Sequence, residues 1–72
     1  MLLISQLNHN ENSIIEIKEL IKFYYRIVNV FLNESIINFY KINVIVSKIE
    51  SLEEELKELE FKNKNITFQL FN

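Results

Sequence analysis

The sequence predicts a mostly all-α protein: a two-helix antiparallel hairpin, over about residues 13–32 and 35–62, that forms a helical bundle by oligomerisation. Three observations predict it. Apolar residues recur at spacings of three and four, most clearly across "SKIESLEEELKELEFKNK". Capping residues stand before both apolar runs. The chain is also short for the amount of bulky apolar surface it carries. Residues 1–72 read as a single helical domain, in which 1–12 is an N-terminal segment and 63–72 a C-terminal tail.

The first helix is placed by Ser13, which precedes an apolar run and has Glu16 three residues later. At that spacing hydroxyl and carboxylate satisfy each other's orphan amides. Turning the segment by about 100° per residue gathers Lys18, Glu19, Lys22, Arg26 and Asn29 on one arc. Apolar side chains fill more than half the circumference, a face wider than a two-stranded seam needs. This helix therefore requires neighbours on several sides. Asn33, Glu34 and Ser35 interrupt the apolar run, and Ser35 offers a cap for a following helix, which marks the turn of the hairpin.

The second helix is defined by Ile42, Ile45, Ile49, Leu52, Leu56 and Leu59, inward positions of three heptads. The count continues through Asn63 to Ile66 and Leu70. In "KNKN", however, Asn63 reads more simply as a helix end, with Lys62 and Lys64 at the negative pole of the dipole. A buried asparagine that sets coiled-coil register is the alternative. Two tracts favour strand by composition. "IINFYKINVIV" is β-branched and aromatic, and "NITFQLF" alternates Ile66, Phe68 and Leu70 with polar residues, so a short terminal strand over 66–71 is an open possibility. A single rod of roughly 50 residues, about 75 Å long, competes with the hairpin because the inward register runs unbroken from Ile14 to Leu59. Its weak point is Ser35 and Asn38 at consecutive inward positions.

Composition narrows the function. Of the 72 residues 49% are hydrophobic, and with no alanine or glycine among them they are nearly all large. A lone domain of this length buries only about 60% of its unfolded surface. There is no cysteine to staple it, which leaves oligomerisation as the usual supplement. The absence of glycine, proline, alanine and aspartate beside 12 isoleucines and 10 asparagines is the bias of AT-rich coding, and it hints at a parasite, symbiont, phage or plasmid source. Net charge is −2, which argues against nucleic acid as a partner. No uncharged stretch reaches the roughly 18 residues of a membrane span, and "MLLISQLNHN" lacks the basic start of a signal peptide. A cytoplasmic location follows as the expectation, in the host if the source is a phage or parasite.

The chemical inventory points away from catalysis, cofactors and metals. Without cysteine or aspartate, and with His9 alone, the chain nominates no nucleophile and base pair and no zinc site. Without glycine it has no phosphate-cradling loop. The glutamates from Glu50 to Glu60 read as the solvated face of a helix. The glycosylation patterns at Asn33 and Asn65 are chance matches among ten asparagines.

The residues expected to form an oligomer or partner interface are Ile17, Ile21, Phe23, Tyr24, Tyr25, Val28, Phe31, Ile42, Ile45, Ile49, Leu52, Leu56 and Leu59. Tyr24 joins the core face, with Phe23 and Tyr25 at its margins. In a parallel homodimer through the second helix, Glu55 and Glu60 would face each other across the seam, only partly offset by Lys48 facing Glu53. The repulsion favours an antiparallel arrangement or a different partner. Three functions fit. The first is a non-enzymatic protein-interaction module that self-associates, as a dimer first, and binds or scaffolds another protein. The second is a small phage or mobile-element inhibitor that occludes a host protein, in one form by acidic nucleic-acid mimicry. The third is a dimeric DNA-binding regulator, supported only by Lys18, Lys22 and Arg26.

Overall fold

The computed structural model describes residues 2–71 as two helices, α1 (Leu2–Leu32) and α2 (Phe39–Phe71), folded back on each other. The hairpin holds, and the rod does not. A straight helix of 31 residues spans about 46 Å and one of 33 about 50 Å. The Cα trace measures 55 × 14 × 14 Å, which is one helix long and two helices wide.

Both helices are longer than the sequence predicts. Ser13 and Glu16 lie in the middle of α1 rather than at its start, and residues 2–12 are helical. The reason is in the spacing: Leu3, Leu7 and Asn10 continue the inward series of Ile14, Ile17 and Ile21, so the seam offers burial beyond the capping box. At the other end, residues 66–71 are helix and not strand, because Ile66 and Leu70 extend the seam of α2. The tract 39–46 is helix for the same reason: packing of Ile42 and Ile45 overrides its β-branched composition.

The link over residues 33–38 is closed without glycine, proline or any positive φ among the described residues. The Asn33 amide N–H donates to the carbonyls of Asn29 and Val30, each at 3.2 Å, and Glu34 N–H donates to Phe31 at 3.3 Å. The last turn thus tightens toward 3₁₀ geometry. Asn33 Nδ2 also turns back to the Asn29 carbonyl at 2.9 Å, which satisfies an end that water would otherwise have to serve. Asn38, not Ser35, caps α2. Its Oδ1 accepts from Lys41 N–H at 3.1 Å, and its carbonyl accepts from Ile42 N–H at 3.2 Å.

Four contacts set the antiparallel register. Lys41 Nζ stands 5.9 Å over the Phe31 ring, and Lys48 Nζ stands 5.9 Å over that of Tyr24. Tyr25 Oη donates to Glu53 at 3.1 Å, and Asn63 Nδ2 donates to the Leu7 carbonyl at 3.4 Å. Phe31 is therefore level with Ile42, Tyr24 with Ile49, Ile17 with Leu56, Asn10 with Asn63, and Leu3 with Leu70. Every such layer is apolar except that of Asn10 and Asn63. Asn63 is buried at 9% exposure in mid-helix, so it does not end α2. Its Oδ1 has no hydrogen-bond partner in the protein.

Candidate functional site

A hairpin leaves each helix with one side against its partner and the rest open. Eleven of the expected interface residues lie along the internal seam. Ile17, Ile42 and Ile49 are buried, while Ile21, Tyr24, Val28, Phe31, Ile45, Leu52, Leu56 and Leu59 are part-buried. Phe23 and Tyr25 are exposed by half, outside the seam. The Phe23 ring leans on Tyr24, with centroids 5.8 Å apart and planes at 58°.

The two long sides that flank the seam differ in chemistry. One carries Glu11, Lys18, Tyr25, Glu53 and Glu60. There the Tyr25 hydroxyl is held by Glu53, whose accepted hydrogen bond and negative charge raise the phenol above its ordinary 10.0. Behind α1, Lys22 pairs with Glu19 at 3.7 Å, both side chains exposed. That pair engages one of the three cations of the Lys18, Lys22 and Arg26 cluster.

The opposite side is hollowed. A groove of about 360 Å³ lies among Leu20, Tyr24, Ser47, Lys48, Ser51 and Leu52. Toward the link, a second of about 220 Å³ is lined by Phe31, Tyr40, Lys41, Val44 and Ile45. At the open end a third, of about 410 Å³, runs between Leu3, Gln6, Asn10, Lys62, Asn65, Ile66 and Gln69. Their α2 linings repeat by heptads: Lys41, Val44 and Ile45, then Lys48, Ser51 and Leu52, then Lys62, Asn65 and Ile66. All three grooves therefore open on one side. Between the last two of these repeats stands that of Glu55, Glu58 and Leu59, with Glu58 at the position equivalent to Ser51.

Sequence reasoning located the seam but not this side. Leu20, Ser47 and Ser51 carry no motif; the available signal was that serines four apart leave a hollow wherever a bulky neighbour flanks them. Among the described residues, no group of three histidine or carboxylate side chains is placed to hold a metal ion, and no helix is long and apolar enough to cross a membrane. No protein-family model, curated protein or solved structure matches the chain.

Proposed function

We propose that the chain is a non-enzymatic helical interaction module of the cytoplasm, which self-associates and binds or scaffolds another protein. The observation that carries this reading is the balance of apolar burial. Among the described residues, Ile17, Ile42 and Ile49 are the fully buried hydrophobic residues and the rest of the seam is part-buried, against 16 large apolar side chains that stay exposed, among them Ile36 at 84% and Phe71 at 79%. Scattered apolar residues are ordinary on a surface, but this density along a thin hairpin is what association sites look like.

Light scattering on the purified chain tests it directly. The expected mass is a multiple of 8.7 kDa that persists on dilution to micromolar concentration. A monomeric mass at every concentration would remove self-association from the proposal. Recovery of a second protein from the native host in stoichiometric amount with the self-associated chain supports the scaffolding half. Salt-sensitive DNA binding at low ionic strength would instead favour the regulator.

A further inference from the structure

Building on the proposal that the chain self-associates, we infer that a second copy docks on the grooved side, antiparallel, with Ser51 beside the two-fold axis, to close a four-helix bundle. The surface area asks for a partner of about this size. A folded monomer of 8.7 kDa is expected to expose about 4,700 Å², whereas the hairpin exposes 5790 Å². The surplus of about 1,000 Å² is close to the roughly 800 Å² that each partner contributes to a standard interface.

Shape chooses the side. On the grooved side Leu20, Phe23, Val30 and Val44 are each 40% exposed or more, and Ser47 and Ser51 leave room for the side chains of a facing helix. The other side also exposes Ile4, Ile15 and Leu32, and both sides carry charged residues, so it is the hollows at Ser47 and Ser51 that mark the grooved side.

Charge bears on the orientation. With the links at the same end, Glu16 of one copy would be level with Glu55 and Glu58 of the other, twice by symmetry. Turned antiparallel about Ser51, α2 packs on α2 and α1 on α1. Lys48 then lies opposite Glu55, and Leu20 opposite Phe23, each pair occurring twice. The same alignment sets Lys41 opposite Lys62, also twice and at positions equivalent to those of Lys48 and Glu55, which offsets much of that gain, so the orientation rests on the Leu20–Phe23 contact and on separating Glu16 from Glu55 and Glu58. Helix packing of this kind needs no loop rearrangement.

The absence of cysteine makes the test clean. Ser51→Cys introduces a single thiol at the proposed axis, and a short bismaleimide is expected to convert the chain to a covalent dimer. Lys18→Cys, on the opposite side, is expected to remain uncrosslinked. A dimeric mass by scattering with crosslinking at position 18 instead of 51 would overturn the assigned side and leave self-association standing. A monomeric mass throughout would overturn the underlying proposal as well. For orientation, Lys48→Glu should weaken the dimer about 2- to 30-fold, from two exposed ion pairs. Adding Glu55→Lys should restore it. Failure of that rescue would overturn the antiparallel alignment.

Discussion

Asn63 sits where every neighbouring layer of the seam is aliphatic or aromatic, and its single bond to the Leu7 carbonyl is long at 3.4 Å. With Oδ1 buried and unpartnered, the side chain lowers stability, since leaving such a group without a hydrogen bond costs about 1–3 kcal/mol. What the polar layer contributes is alignment. A slip of one heptad would move Asn63 from opposite Asn10 into an apolar layer, and the chain resists it. Asn63→Leu is therefore expected to raise unfolding free energy by about 1–3 kcal/mol in a denaturant titration, while broadening the distribution of assembly masses. A lower midpoint in that titration would show that the amide is stabilising after all. The second residue-scale expectation concerns Tyr25. Because Glu53 raises its pKa, the folded chain holds the phenolic proton more tightly than the unfolded chain does. Its contribution is fully present below pH 10 and is lost as pH climbs through the raised value. Phenolate absorbance in a Glu53→Gln variant should rise at lower pH than in the parent, by the portion due to that one tyrosine.

At the scale of the element, α2 begins where Asn38 can cap it, and the cap is a single side-chain bond to Lys41 N–H. Asn38→Ala is expected to cost about 0.5–2 kcal/mol, seen as a lower melting temperature with little change in helical content at low temperature. The same element shows what could be read from the chain beforehand. Ile42 to Leu59 were legible because six aliphatic residues at three and four leave no other period. The break at residues 33–35 was legible because three polar residues interrupt a bulky run. The helix ends were not. Ser13 and Glu16 form a strong local start signal, yet Leu3 and Leu7 upstream gain more by staying in the seam than the capping pair gains by ending it. Asn63 looked terminal because asparagine and lysine surround it, and only the partner helix opposite makes its position interior. The grooved side was invisible for a related reason: a hollow belongs to two helices at once, and serine in one of them announces nothing.

For the whole molecule, the hairpin seam by itself holds little. Among the described residues three isoleucines are fully buried, at about 1.5–3 kcal/mol each, and the rest of the seam is only part-buried, a small core against the conformational entropy of two long helices. Association is expected to supply the rest, so the melting temperature should rise with protein concentration, as mass action demands of a dimer that unfolds to monomers. A melting temperature independent of concentration over a hundredfold range would place the stability within the single chain. The link over residues 33–38 has a further consequence. It contains no glycine or proline to enforce a reversal, and the inward positions of α1 and α2 share one heptad frame across it. If the link straightened into helix, every seam residue would remain in phase, and two chains could exchange arms while preserving each layer, Asn10 with Asn63 included. The layers themselves thus favour folded-back and arm-exchanged forms alike. The choice between them falls to a few weak bonds around Asn33 and Asn38, which act as a latch on an otherwise continuous helix.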